Sequence, residues 1–230
     1  MEQYYISNNT KKQLIYIIST FDKLANQYNL EYWIDGGTIL GAIRHKNFIP
    51  WDDDLDVSIL NSSLSKLKHI FTHLKNYNLE FTKTFYGYKI FLKDGKKIKR
   101  NLWREHKIKF KKKNPSVKGR ALISKGASKT YKRSKKILYE KYTYPSLDIF
   151  ITKEKNKQII YKNEWHKCRY TNDELFPLKK YKFGKLRLPG PNNPVNYFNG
   201  CYGKDWKEYG LISYDHKNEK IIKPIKFKLI

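Results

Sequence analysis

A run of aspartates that leads directly into an apolar segment is the feature that most constrains the fold of this chain. Residues 51–60 read WDDDLDVSIL, so four acids fall within five positions just before alternating apolar residues. Side chains alternate between the two faces of a strand, so we expect Asp54 and Asp56 to share one face while the intervening leucine points to the core. Asp52 has the same nominal parity. The pattern favours a strand that presents carboxylates to a site over a solvated acidic turn.

Paired carboxylates of this kind are suited to a divalent cation. Oxygen ligands are those preferred by Mg²⁺ or Mn²⁺, and a cation would relieve the repulsion between neighbouring acids. Asp148, in the segment SLDIFIT, is flanked by apolar residues and must be partly buried, so it needs a partner. A neighbouring strand would bring it beside Asp54 and Asp56 as a third carboxylate. The alternative is an ordinary acid on an edge strand.

A glycine pair precedes the acids. Gly36 and Gly37 follow the apolar segment LEYWI, and Thr38 is placed to cap a short helix through ILGAIRH. Glycines leave room for a phosphate, and a helix N-terminus offers amides to it, although a plain strand-ending turn is the alternative. The spacing matches neither a Walker P-loop nor a Rossmann glycine motif. Arg44, at the end of the short helix, would either hold a diphosphate or neutralise the aspartates.

The remaining pattern predicts a mixed α/β fold with a small sheet flanked by helices. Apolar residues recur every three or four positions from Thr10 to Tyr28, which predicts an amphipathic helix capped near Asn9 or Thr10. SSLSKLKHIFTHLK predicts a second helix, and LDVSIL, YGYKIFL and SLDIFIT predict strands. QIIYKNEWHKCRY is compatible with a strand or a helix. The last third predicts a hairpin followed by a proline-rich loop.

The chain is strongly basic, and the charge is concentrated. Lys and Arg number 48 against 21 Asp and Glu in 230 residues, a formal net charge of +27. Residues 93–136 hold 19 of the basic residues with only Asp94 and Glu105 as acids, so they carry +17. This lysine-rich block is either a solvated excursion or a docking arm for an anionic partner such as nucleic acid. A/T-rich coding would also raise the bulk lysine content without any binding role.

Cysteine usage and hydropathy exclude several classes of protein. The two cysteines, Cys168 and Cys201, form no C-x-x-C pattern, so neither a structural zinc site nor a disulfide framework is indicated, and whether they pair is left open. No apolar run approaches the roughly 18 residues needed to span a bilayer, and the N-terminus lacks a signal-peptide pattern. From the sequence we expect a soluble, cytoplasmic protein without a transmembrane segment.

The combined motif resembles a known family. GGTILGAIRHKNFIPWDDDLDVSI is similar to the signature of the LicD family of phosphotransferases, which includes fukutin-type proteins and yeast mannosylphosphate-transfer proteins. LDIF and ELFPLKKYKFGKLRLPGPNNPVNYFNGCYGKDW resemble later family segments in the same order. The resemblance covers roughly residues 10–210 and does not include the lysine-rich block. It implies one nucleotidyltransferase-fold domain over residues 1–230, with the block at about 93–136 as an insertion.

The resemblance also implies an activity and a site. The family moves a phosphorylated group, such as phosphocholine, ribitol phosphate or a sugar phosphate, from a CDP-linked or other nucleotide-linked donor to a hydroxyl of a glycan or glycoconjugate. The implied catalytic and metal-binding carboxylates, holding Mg²⁺ or Mn²⁺, are Asp54, Asp56 and Asp148, with Asp52 as an alternative ligand. The implied contacts to the donor phosphates are Gly36, Gly37 and Thr38. The residue pattern adds Arg44 as a further predicted contact to these phosphates.

Two other functions stay open at the level of sequence. A nucleotidyltransferase acting on nucleic acid would use the lysine-rich block for phosphate contacts. A glycan-binding pseudoenzyme would keep the scaffold without turnover, although the intact acids argue against it. The resemblance favours phosphoryl transfer to a glycan over both.

Overall fold

The computed structural model describes residues 5–101, 139–162, 166, 168–215 and 220–229. The helices in this part of the chain are α1 (Asn8–Gln27), α2 (Gly36–Arg44), α3 (Leu64–His73), α4 (Asn172–Leu175) and α5 (Val195–Tyr202). The strands are β1 (Trp33–Ile34), β2 (Leu55–Leu60), β3 (Leu79–Lys83), β4 (Gly87–Asn101), β5 (Tyr139–Lys155), β6 (Gln158–Tyr161), β7 (Tyr170–Thr171), β8 (Lys179–Phe183), β9 (Leu186–Gly190), β10 (Tyr209–Asp215) and β11 (Lys220–Lys228).

A mixed sheet forms the centre of the fold. Its strand order is β1–β2–β5–β4–β3, and β6 and β7 extend it from β5. Only β2 and β5 run parallel among the described pairings of this sheet; the others are antiparallel. β8 pairs with β9, and β10 pairs with β11, in two small separate sheets. The predicted mixed α/β class with helices flanking a sheet is confirmed.

Helix α1 covers the sheet with one apolar face. Its buried side chains recur at helical spacing and pack towards β4 and β5. The helix begins slightly earlier than expected, because the hydroxyl of Ser7, not Asn9 or Thr10, accepts from the amide of Thr10 at 3.1 Å. Thr10 is buried inside the first turn. Several neighbouring residues here have side chains that can cap a helix, so residue type alone does not determine which of them forms the cap.

The strand register determines which side chains become neighbours. In the parallel pair, Asp56 of β2 lies opposite Asp148 of β5. In the adjoining antiparallel pair, Asp148 lies opposite Lys89 of β4. These three residues therefore form a row across three adjacent strands, in the order Asp56, Asp148, Lys89.

In the structure, the strand that was predicted from YGYKIFL extends well beyond these seven residues. β4 continues to Asn101 and pairs with the first half of β5, so residues 93–101 of the lysine-rich block belong to an extended hairpin. This start of the block is β-structure, which does not fit the solvated excursion that was one of the two interpretations of the block. Residues 102–136 of the block lie outside the described residues. Among the described helices, none is long and apolar enough to cross a membrane.

The two cysteines are brought together although their spacing does not indicate it. Cys168 and Cys201 form a disulfide, with Cα atoms 5.7 Å apart and a separation of 33 positions in sequence. Cys168 lies between β6 and β7, and Cys201 lies in α5. The pairing left open by the sequence is therefore made by the tertiary fold.

Candidate active site

Three carboxylates converge where the parallel pairing of β2 with β5 begins, at the N-terminal end of β2. Asp54, Asp56 and Asp148 each offer an oxygen, and these oxygens all lie within 4.8 Å of one another. Carboxylates this close repel one another unless a cation or protons compensate them. All three supply hard oxygen ligands, so the set fits Mg²⁺ or Mn²⁺ better than a softer metal. Their roles as ligands remain a prediction.

The environment of the acids favours binding of positive charge. Burial, followed by the charges of Asp54 and Asp148, raises the pKa of Asp56 well above its ordinary value. Burial and the charges of Asp54 and Asp56 likewise raise the pKa of Asp52. Asp53 is turned to another partner, since its carboxylate accepts from the hydroxyl of Tyr144 at 2.8 Å. Binding of a cation or of protons would therefore stabilise the acids that face the site.

Asp148 is held by two donors from neighbouring segments. The buried ammonium of Lys89 forms an ion pair with Oδ1 of Asp148, and the hydroxyl of Tyr86 donates to Oδ2 at 2.9 Å. Lys89 also donates to the hydroxyl of Ser146 at 3.3 Å. Burial raises the pKa of Asp148, while Lys89 and Tyr86 oppose that rise. Lys89 thus keeps the third carboxylate more readily ionised than burial alone would allow.

We expect Lys89→Met to move the acid limb of the pH–activity profile to higher pH by about one unit or more. Removing the ammonium takes away the charge that stabilises ionised Asp148, so this carboxylate stays protonated over a wider range. The measurement is turnover against pH for the wild type and the variant. Lys89→Arg keeps the charge and is the matched control. An unshifted acid limb in the Met variant would exclude this role.

The glycine pair lies directly against the acids. A Cβ atom added to Gly36 would lie 2.3 Å from Oδ2 of Asp56, and one added to Gly37 would lie 2.2 Å from Oδ2 of Asp52. Gly36 also has φ of +50°, in the left-handed region. The amide of Gly37 donates to Asp56 at 3.0 Å. The glycines are therefore required for the close approach of the backbone to the carboxylates.

Gly36→Ala is expected to destabilise the protein by at least the roughly 1–2 kcal/mol of a left-handed alanine, and to weaken Mn²⁺ binding by displacing the Asp56 carboxylate. Gly200→Ala in α5 is the matched control, because nothing lies within 4 Å of its added Cβ atom. That variant should instead stabilise by about 0.5–1 kcal/mol. Urea unfolding and Mn²⁺ titration test the pair. Equal behaviour of the two variants would contradict the role given to Gly36.

Helix α2 begins before Thr38, so the predicted cap is wrong. The cap is Asp35, whose Oδ1 accepts from the amide of Gly36 at 2.9 Å. Thr38 lies inside the helix, is buried, and accepts from the amide of Asp56 at 2.7 Å. Gly36 can follow an aspartate cap in the left-handed region, and the cap therefore lies three residues closer to the N-terminus than predicted. Thr38 therefore positions the backbone of the acidic strand.

Asp35 is the most enclosed carboxylate near the site, with 0% of its surface exposed. Besides the amide of Gly36, it accepts from the hydroxyls of Ser58, Tyr161 (2.7 Å) and Tyr170 (3.1 Å). A buried carboxylate is tolerated when hydrogen bonds satisfy its oxygens, and here four donors do so. Asp35 thereby joins the start of α2 to β2, β6 and β7.

An aromatic cavity opens beside the glycine pair and Asp56. Its volume is about 180 Å³, and its lining comprises Gly36, Gly37, Asp56, Phe150, Tyr161, His166, Tyr197 and Tyr202. The hydroxyls of Tyr161 and Tyr197 lie 3.0 Å apart, which connects the lining to the hydrogen bonds of Asp35. Asp56 belongs both to the cavity lining and to the group of three carboxylates, so a ligand in the cavity would have part of its structure next to Asp56.

A family model covers most of the residues that form this candidate site. The model for the LicD/FKTN/FKRP nucleotidyltransferase domain matches residues 29–114 and 99–193. The chain belongs to the LicD family. The matched ranges contain the glycine pair, all the acids of the site, Lys89 and the Asp35 hydrogen-bond partners, while α5 lies beyond them.

A relative that matches most of the chain has no activity in its name, whereas two relatives that are named as transferases match only short segments. An uncharacterized protein of Rickettsia prowazekii is 28% identical over 94% of this chain, which spans 63% of that relative's length. The lipopolysaccharide cholinephosphotransferase LicD of Haemophilus influenzae is 42% identical over 28% of this chain and 25% of its own length. The mouse ribitol 5-phosphate transferase FKRP is 53% identical over 13% of this chain and 6% of its own length.

The described hydrogen bonds of Arg44 go to His45 and to main-chain oxygens, and none of them goes to a carboxylate. Its guanidinium donates to the main-chain oxygens of Trp206 at 2.9 Å and Tyr209 at 3.2 Å, and lies 5.7 Å from the ring centre of Trp51. Burial lowers the pKa of Arg44, and the charge of Asp52 is among the interactions that oppose this. Arg44 therefore connects α2 to the segment after α5. Its contact with a donor diphosphate remains a prediction.

Among the residues of the candidate site that were not predicted from the sequence, three show what signal was present or absent. Asp35 follows the buried pair Trp33–Ile34, and Lys89 stands alone in the apolar strand YGYKIFL. The rule that identified Asp148, that a charge within an apolar strand needs a partner, applies equally to both. Tyr161, the third, carried no comparable signal, because tyrosine is common in strands with or without a role in a site.

Proposed function

We propose that this chain is a metal-dependent phosphotransferase that moves a phosphorylated alcohol from a nucleotide-linked donor of the CDP type to a hydroxyl of a glycan. The observation that carries the proposal is the convergence of Asp54, Asp56 and Asp148 against the Gly36–Gly37 turn of a LicD domain. The named relatives that transfer choline phosphate or ribitol phosphate support this reaction class. In this proposal the transferred group is likewise a phosphorylated alcohol, which forms a phosphodiester with the glycan hydroxyl.

In this scheme the aspartates supply negative charge for the cation, and the glycines supply space for the donor. Mg²⁺ or Mn²⁺ held by Asp54, Asp56 and Asp148 would neutralise the donor phosphates and polarise the phosphorus under attack. Gly36 and Gly37 allow the donor to approach the backbone, and both line the cavity. Their amides already donate to Asp35 and Asp56, so in this scheme they hold the carboxylates in place. The donor phosphates would then bind next to carboxylates that are already in position, and phosphoryl transfer depends mainly on such positioning.

The reaction forms one bond and breaks one. The acceptor oxygen bonds to the phosphorus that carries the transferred alcohol, the bond from that phosphorus to the bridging oxygen breaks, and CMP leaves. The hydroxyl proton passes to a carboxylate, for which we propose Asp148. Burial raises the pKa of Asp148, which makes it a better base than an ordinary surface acid.

The experiment that tests the proposal identifies the products. The wild-type chain is incubated with CDP-choline or CDP-ribitol, Mg²⁺ and a panel of glycans, and the mixture is analysed by mass spectrometry. We expect CMP together with a glycan whose mass has increased by the phosphorylated alcohol, and far less of both products with Asp56→Asn. A glycan or RNA that carries CMP, with release of the phosphorylated alcohol, would instead identify a nucleotidyltransferase. No product with any donor would oppose both.

A further inference from the structure

A second cluster of metal-ligating side chains lies outside the acidic site. His166, Cys168 and Cys201 each offer a ligand atom, and these atoms all lie within 4.8 Å of one another. His166 and Cys168 come from the connection between β6 and β7, whereas Cys201 comes from α5. All three side chains are half-buried. The cluster is therefore formed by tertiary structure from two segments that are distant in sequence.

The ligands of this cluster differ in chemistry from those of the acidic site. Two sulfurs and an imidazole nitrogen are the donors that Zn²⁺ takes in tetrahedral protein sites, while carboxylate oxygens suit Mg²⁺. In the structure the two sulfurs are joined as a disulfide, which is the oxidised form of the pair. The reduced form would place two thiolates and one imidazole around a common point. Three protein ligands leave the fourth zinc position to water.

We propose that His166, Cys168 and Cys201 form a zinc site when the disulfide is reduced. Reduction by a thiol or phosphine reductant breaks the S–S bond with two electrons and two protons, giving two thiols. Binding of Zn²⁺ then releases the two thiol protons and forms two zinc–thiolate bonds and one zinc–imidazole bond. No part of this depends on the proposed phosphotransferase activity.

The position of the cluster gives the zinc site a structural consequence. His166 lines the aromatic cavity, and α5 supplies Tyr197 and Tyr202 to the same lining. The rings of His166 and Tyr161 lie 5.1 Å apart, centre to centre. Either cross-link, the disulfide under oxidising conditions or zinc under reducing ones, ties the same two segments of the cavity wall together. Zinc would thus hold this part of the cavity wall together in a reducing compartment, where the disulfide would not persist.

Cobalt spectroscopy on the full chain tests the site directly. The protein, reduced with a phosphine, is titrated with Co²⁺, which reports thiolate ligation by a charge-transfer band and tetrahedral geometry by its visible bands. We expect both features to saturate at one equivalent, to vanish when Zn²⁺ is added, and to be absent from the oxidised chain. Absence of the thiolate band from the reduced wild type would overturn the proposal. This comparison needs no variant to fold.

Variants then assign the ligands. The Cys168→Ser/Cys201→Ser double variant should lose the thiolate band, and persistence of the band would overturn the assignment. His166→Ala should weaken Co²⁺ binding by at least the roughly 10–100-fold that loss of an outer-sphere partner costs. Unchanged affinity in His166→Ala would remove this residue from the site. Asp56→Ala is the matched control, because it alters the acidic site and should leave the cobalt spectrum unchanged.

Discussion

Asp56→Asn is expected to reduce turnover by about 10³-fold while making the metal-free protein more stable. The cation that Asp56 would help to hold contributes several kcal/mol of transition-state stabilisation, and each 1.36 kcal/mol is a factor of ten in rate. The same carboxylate is held close to Asp54 and Asp148 within the fold. Its replacement by an uncharged amide of similar shape removes that repulsion.

The sign of the stability change depends on pH. Burial and neighbouring acids raise the pKa of Asp56 in the folded chain, so the folded state binds its proton more tightly than the unfolded state does. Stability of the metal-free wild type therefore falls as the pH rises from the ordinary carboxyl range through the raised pKa. The stabilising effect of Asp56→Asn should be present above that window and should disappear below it.

Urea unfolding in a chelator, at neutral and at acidic pH, measures this effect alongside turnover in Mg²⁺. Glu80→Gln is the matched control, since it neutralises an exposed acid on β3 and should change neither property. Retention of more than a tenth of wild-type turnover by Asp56→Asn would contradict its assignment as a ligand. A less stable metal-free variant at neutral pH would contradict the electrostatic account of the acids.

Asp35→Ala is expected to destabilise the protein by about 4 kcal/mol, the largest effect on stability of any single change considered. The substitution leaves the hydroxyls of Ser58, Tyr161 and Tyr170 and the amide of Gly36 without their common acceptor. A buried donor that loses its partner costs roughly 1–3 kcal/mol, and partial rearrangement offsets part of the sum. Urea unfolding measures the change.

A double-mutant cycle separates the role of this acceptor from simple loss of volume. Tyr170→Phe alone removes one donor and should cost about 1 kcal/mol. In the Asp35→Ala background the same change should cost almost nothing, because the hydroxyl no longer has its acceptor there. Additive costs would mean that Asp35 does not act through this hydrogen bond.

The elements of the fold with strong periodicity could be predicted from the sequence. The strand LDVSIL appears as β2 with the predicted bounds, Leu55–Leu60, because its alternation distinguishes a core face from a site face. Asp148 could be recognised as a buried acid from its apolar neighbours. Its position opposite Asp56 could not be derived in the same way, since strand register depends on tertiary packing.

Other features depend on choices that local sequence leaves open. Asp35 and Thr38 both belong to residue types that cap helices, and the backbone conformation of Gly36 decides in favour of Asp35. Lys89 reaches Asp148 only because β4 adjoins β5 in one register. Cys168 and Cys201 meet only after α5 has packed near the segment that follows β6.

Anomalous diffraction from a crystal of the chain soaked with Mn²⁺ and a CDP-linked donor tests the central claim most directly. The account predicts an anomalous peak within coordination distance of oxygens of Asp54, Asp56 and Asp148, with donor phosphate next to it. The same soak of an Asp56→Asn crystal is the control and should lose the peak. Donor bound in the cavity without an anomalous peak at these carboxylates would contradict the account.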